Sequence, residues 1–265
     1  MTITIDTQFS FELPRMTDIL LQFEAAAIPE QRIISSDTQL TPSEHQAWVP
    51  AQDAIGERIW VRADGLFEVS YQAEVELDRQ LADLSLLKTL SPHDLPGEAV
   101  QYLFDSRYVA ADRFQTFVEN EFGGTQGGAR IVAIRDWLEH KFTYTPGVSG
   151  PETGALDTFI ERRGICRDYA HVLIALARAS AIPARYVACF APGVDPPDFH
   201  AIAEVFLLDP QTPGGGTWQL VDGTGMADPA KTVKIGVGRD AADVSFLTSF
   251  GMNTFKSKTV KVTDS

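Results

Sequence analysis

The chain has 265 residues, 44% of them hydrophobic and 22% charged, which excludes disorder as its default state and suffices for one large core or two modest ones. Lys and Arg number 22 against 36 Asp and Glu, so the formal net charge is −14; such a surface repels phosphate backbones and anionic lipid and argues against nucleic acid and membrane surfaces as partners. Only two cysteines occur, Cys166 and Cys189, which excludes a disulfide-stapled secreted scaffold.

The first ninety residues read as β. Thr2 to Leu13 alternates, with Ile3, Ile5, Phe9 and Phe11 on the apolar side, and it lacks the basic and apolar regions of a signal peptide. No run approaches the roughly 18 to 20 apolar residues of a membrane helix, so a soluble cytoplasmic protein with reduced thiols is expected. Ile19 to Phe23 and Gln31 to Ile34 read as two more strands, although Asp18 to Ala27 fits a short helix equally well. Ile55 to Ala63 and Leu66 to Leu77 flank Asp64-Gly65, the dipeptide of a tight hairpin turn. A small β-sandwich is the simplest assembly of these strands.

The turn-rich stretch SPHDLPGE, Ser91 to Glu98, marks a boundary, after which the pattern becomes helical. Helices are predicted at Asp112 to Glu121, Ala129 to Lys141, near Ala155 to Arg162, and from about Cys166 to Ser180, where Ile182-Pro183 closes the last one. Strands follow at Arg185 to Phe190, His200 to Leu208 and Thr217 to Asp222. The flexible loop DPQTPGGG, with its glycine triplet, joins the last two. The tail past Gly251 is polar and is expected to fray. The expected organisation is a β-rich domain at 1–95, an α+β thiol domain at 96–250 and a polar tail at 251–265.

Chemistry concentrates around Cys166. It opens a helix directly after Gly164-Ile165, where unpaired backbone N–H groups and the positive dipole end favour a thiolate. Cys166, Ala170, Leu173 and Ala177 share the buried face. His171 is about 500° further round the helix, roughly 140° off that face, so it is a poor base for the thiol despite its nearness in sequence. His200 opens a strand whose one face also holds Ile202, Glu204, Phe206 and Leu208. Asp222 ends the strand TWQLVD. If these two strands pair antiparallel, a plausible register sets Asp222 opposite His200. The geometry therefore permits a nucleophile, base and orienter in the order Cys166, His200, Asp222. The plain alternatives are a small buried cysteine, a satisfied strand-end histidine and a turn aspartate. Cys189, mid-strand, reads as structural.

The segments GICRDYAH, IPARYV, FHAIAEVFL and WQLVDGTG together resemble the transglutaminase-like superfamily of papain-fold thiol enzymes. QYLFDSRYVAAD, HKFTYTPG and DAIGERIWVRADGLFEVSY are similar to further stretches of its bacterial branch with a β-rich N-terminal region, and the resemblance runs from about residue 1 to 250. The chain departs from that branch at Ile202 and Ala203, after the histidine, where an aromatic residue is common. The resemblance implies a nucleophilic Cys166, a base His200 and an orienting Asp222. It also implies acyl transfer through a thioester, on amide bonds of peptides or protein side chains, with water or an amine as acceptor. The fold expected is α+β: an N-terminal β-sandwich-like domain, then a papain-like core whose cysteine-bearing helix packs on an antiparallel sheet.

Such chemistry needs oxyanion donors. The backbone N–H of Cys166 is one candidate and Tyr144 another, whereas Trp137 reads as core. Asp168 and His171 are read as supports of the site, and Glu204 as a neighbour able to modulate His200. Arg107 and Tyr108 either line the cleft or pack. The five histidines lack metal-ligand spacing and no phosphate-binding glycine motif occurs, so no cofactor or metal is implied. The competing reading is a binding module that keeps the fold without catalysis.

Overall fold

The structure, a computed structural model, describes residues 1–209, 211–212 and 215–264. Pro210, Pro213 and Gly214 of the expected hairpin loop, and Ser265 of the tail, lie outside the described residues. The chain begins with four strands, β1 (Thr2–Leu21), β2 (Gln31–Leu40), β3 (His45–Pro50) and β4 (Glu57–Leu77). Helices α1 (Gly97–Val100), α2 (Gln115–Phe122) and α3 (Gly127–Lys141) follow, then a short strand β5 (Thr143–Tyr144), helix α4 (Ala155–Glu161) and a short strand β6 (Arg163–Gly164). Helix α5 (Cys166–Ala179) leads into β7 (Ala184–Phe190), β8 (His200–Leu208), β9 (Gly216–Val221), β10 (Val233–Gly238), β11 (Leu247–Ser249) and β12 (Thr254–Asp264).

The alternation of β1 is real. Ile3, Ile5, Phe9, Phe11 and Leu13 are all buried, and Thr7 joins them by donating its hydroxyl to the Thr259 carbonyl at 3.0 Å. The strand does not stop at Leu13, however. It continues to Leu21, which decides against the helical reading of Asp18 to Ala27. Asp64-Gly65 is likewise no hairpin. Both flanking runs belong to the single strand β4, because each pairs with β1 rather than with the other. The register passes from Leu13 opposite Gly65 to Thr17 opposite Ala63, so the dipeptide faces a bulge formed by Pro14, Arg15 and Met16. Gly65, at φ +74°, takes the left-handed backbone this break requires.

The tail also differs from expectation. β12 pairs with β1 from Ile3 opposite Asp264 to Glu12 opposite Thr254, burying Val260, and β11 pairs with the far end of β1. It is polar because an edge strand with one solvated face has few apolar positions to fill. The ladders thus join β11, β12, β1, β4, β2 and β3 into one six-stranded sheet rather than two facing ones.

The second sheet has the antiparallel order β10-β7-β8-β9. Ala201, Ala203, Val205 and Leu207 on one side of β8 pack with Ala170, Leu173, Ile174 and Ala177 of α5 in one core. Each fully buried Leu or Ile there contributes roughly 1.5–3 kcal/mol relative to exposure. A separate core joins Phe9, Phe67 and Tyr71 of the six-stranded sheet to Phe190, Val233 and Ile235 of the four-stranded one. Arg178, buried near the end of α5, donates to the carbonyls of Phe104, Ala184 and Arg239. Burial pulls its guanidinium down to about 10. No helix among the described residues is long and apolar enough to cross a membrane.

Candidate active site

The thiol is presented by the local fold of RRGICRD. Ile165 is extended and α5 starts at Cys166. Asp168, in the first turn, accepts the Ile165 N–H at 2.8 Å and also the hydroxyl of Ser149, so the helix start is tied to the preceding loop. Gly164 makes this possible: a Cβ there would lie 2.7 Å from the Asp168 side chain. Asp168 is therefore a support of the cysteine turn.

β8 and β9 bring in the other two residues. Their ladder sets Ala203 opposite Val221, two positions away from the register that would have put Asp222 opposite His200. Asp222 lies just beyond the strand end and reaches His200 diagonally, with Nε2 and Oδ2 at 3.0 Å. Its carboxylate also accepts the N–H groups of Thr224 at 2.8 Å and Ala227 at 2.7 Å, and the Thr224 hydroxyl. Burial works against the Asp222 charge, but the hydrogen bond and charge of His200, with those N–H groups, keep its carboxyl below the usual range.

With Nε2 committed to Asp222, Nδ1 of His200 has no hydrogen-bond partner, and Cys166 is the other group acting on the ring. Burial opposes protonation of His200. The hydrogen bond with Asp222, the nearness of Cys166 and the charges of both overcome it and raise the imidazole to about 10. The three side chains are 9%, 2% and 4% exposed respectively. Cys166 and His200 open onto a cleft of about 670 Å³.

Tyr144 stands beside them. The parallel pairing of β5 with β6 sets Tyr144 alongside Gly164, and Tyr144 lines the same cleft as Cys166, near its backbone and side chain. Burial, then the neighbouring Cys166 charge, push its phenol well above the usual value.

Residues 116–223 match the family described as the transglutaminase-like superfamily. A crystal structure from Cytophaga hutchinsonii, named a putative cysteine protease, matches at 31% identity with a TM-score of 0.91, covering 99% of this chain and 90% of that one. The chain belongs to the transglutaminase-like superfamily. An uncharacterized protein of Mycobacterium leprae is 30% identical over 116 residues, covering 43% of this chain and 42% of its own length. One of Mycobacterium tuberculosis is 34% identical over 127 residues, covering 43% and 38%. The chain thus matches less than half the length of these curated relatives.

The other expected residues of this transglutaminase-like chain fall elsewhere. His171 stacks on Tyr108 at 5.2 Å and 17° and accepts the Ala241 N–H through Nε2 at 3.2 Å. Burial, followed by the charges of Arg167 and Arg178, keeps it neutral. Glu204 does not touch His200. It is ion-paired with Arg185 at 2.7 Å and Lys234 at 2.5 Å, and although burial opposes the charge, those cations lower it to about 2. That trio, its charges paired with one another, lines a separate cavity of about 520 Å³. Trp137 packs among Phe117, Phe122, Phe142 and Phe159, with the Arg162 guanidinium 4.4 Å from its ring centre. Cys189 is buried in β7 opposite His200, where burial pushes its thiol far up.

Arg107 and Tyr108, left open by the sequence, line the cleft. So do residues no motif pointed to: Gln22 just after β1, Leu247 and Thr248 of β11, and Lys258 of β12, so the six-stranded sheet supplies a wall of the cleft. Among the described residues, no group of three or more His, Cys, Asp or Glu is arranged to hold a metal.

Proposed function

We propose that the protein is a cysteine-dependent enzyme that cleaves amide bonds of peptides or protein side chains. The observation that carries this reading is a buried His200 bonded to Asp222 through Nε2, with Cys166 beside it at the mouth of a cleft. In this mechanism the Cys166 sulfur, its proton held by His200, attacks the amide carbonyl carbon. The C–N bond breaks and the amine leaves with the proton from His200. Water then attacks the thioester as His200 takes its proton. The C–S bond breaks, a carboxylic acid leaves, and the sulfur is again free beside protonated His200. An amine in place of water would give transfer rather than hydrolysis. The Cytophaga neighbour, named a putative cysteine protease, supports water as the acceptor.

Asp222 holds the imidazole in place and stabilises its charged form. The oxyanion that develops is received by the Cys166 N–H and the Tyr144 hydroxyl, which meet beside the sulfur. The role of the six-stranded sheet in this scheme is to close one side of the cleft.

The test is turnover of a fluorogenic peptide-amide library by the wild type and Cys166→Ala, with intact-mass detection of an acyl adduct. Turnover lost by about 10³-fold or more in Cys166→Ala, with an adduct on Cys166 in the wild type, is the expected result. Binding of peptides with no adduct and no effect of Cys166→Ala on any turnover would identify a binding module instead.

A further inference from the structure

The charged side chains lining the cleft are Arg107, Arg167, Lys258 and Asp198, and Lys258 is already ion-paired with Asp198. Two guanidiniums remain, in a chain whose net charge is −14. Both approach the same aromatic ring: the Arg107 carbon lies 5.0 Å from the Tyr108 ring centre and that of Arg167 5.7 Å. The ring is a fixed platform. It stacks on neutral His171, its hydroxyl donates to the Pro151 carbonyl at 2.8 Å, and its backbone N–H donates to Asp240 at 2.9 Å.

Neither guanidinium uses its full donor set. The partner of Arg107 is Glu152, 3.6 Å away and 90% exposed, a solvated pair of little worth. Arg167 is ion-paired with buried Asp168 at 3.4 Å, but through a single nitrogen, which it shares with the Gly150 carbonyl at 2.7 Å. The Nε of Arg167 is buried and has no partner. Two like charges over one ring repel unless an anion joins them, and planar guanidinium forks match a carboxylate's two oxygens.

Resting on the enzymatic reading above, we propose that the acyl donor carries a carboxylate close to the amide that Cys166 attacks, and that Arg107 and Arg167 bind it. An acidic side chain and a chain-terminal carboxyl both present that group. Because Arg167 directly follows Cys166, the carboxylate binds near the reacting carbonyl, and the pair selects substrate rather than activating sulfur.

The test compares alkylation of Cys166 by iodoacetate, which carries a carboxylate, with alkylation by neutral iodoacetamide, in the wild type, Arg107→Gln and Arg32→Gln. Arg107 is largely solvent-exposed, so its replacement spares the fold. Arg32 pairs with Glu76 and does not line the cleft, and serves as the control. The iodoacetate-to-iodoacetamide rate ratio is expected to fall about threefold or more in Arg107→Gln and to stay constant in Arg32→Gln. Glutarate is expected to protect wild-type Cys166 from iodoacetamide at lower concentration than glutaramide, and Arg107→Gln to erase that difference. A ratio and a protection pattern unchanged by Arg107→Gln, with Cys166 still reacting faster than Cys189, would overturn the carboxylate site alone. Cys166 reacting no faster than Cys189 with either reagent would overturn the enzymatic reading beneath it.

Discussion

His200 holds its proton against burial, and that single fact organises the site. Its partners raise it from an ordinary 6.5 to about 10, so the imidazolium is the form present at neutral pH. A raised histidine contributes stability fully below its unfolded value and loses that contribution as pH rises through the folded one. Melting temperature should therefore decline between about pH 6.5 and 10, and the rate of amide turnover should show an alkaline limb toward the same value. Asp222→Asn removes the group that holds the ring. It should lower kcat by about a hundredfold or more and move the alkaline limb to lower pH. Tyr144→Phe should lower kcat by about 10²-fold with little change in KM, as expected for a donor used in the transition state. Cys166, His200 and Asp222 were legible as candidates because each sits at a punctuated place: a helix start after glycine, a strand start and a strand end. The place of Arg107 and Tyr108 stayed open and Arg178 went unread, because the loops and carbonyls around them come from distant parts of the chain.

At the level of elements, the sequence pattern placed α3, α5, β7 and β8 to within a residue or two, because each packs against neighbours close in sequence. Asp64-Gly65 misled because a turn signal says only that the backbone bends. Whether the two flanking runs meet each other or a common third strand is decided by long-range pairing with β1. The tail was misread for a related reason: edge strands are polar, and only the distant β1 makes β12 a strand. Two elements invite direct tests. Gly164→Ala drives a methyl group into Asp168, so it should destabilise by about 1–3 kcal/mol and reduce turnover by displacing the Cys166 turn; thermal unfolding and rate measured together check both. Leu173→Ala, in the wholly buried face of α5, should cost about 2–5 kcal/mol with the same chemistry remaining in the folded fraction, as denaturant titration would show.

Across the whole molecule, two sheets share the labour. The four-stranded sheet and α5 carry the candidate triad, while the six-stranded sheet, with β12 at its edge, walls the cleft. The buried Arg185–Glu204–Lys234 cluster ties β7, β8 and β10 together. Glu204 has its carboxyl lowered from 4.5 to about 2, so its contribution is present above pH 4.5 and lost as pH falls toward 2. Glu204→Gln leaves two buried cations short of their shared partner, and unfolding experiments at neutral pH should show a loss of about 3–5 kcal/mol.

The central claim is that Cys166 is the nucleophile and His200 the neighbour that activates it, and the measurement closest to it is alkylation by iodoacetamide of the wild type and His200→Ala, followed by peptide mapping. Cys166 is expected to react faster than buried Cys189 in the wild type and to lose most of that advantage in His200→Ala. Equal labelling of the two cysteines, or a Cys166 rate unchanged by His200→Ala, would contradict it.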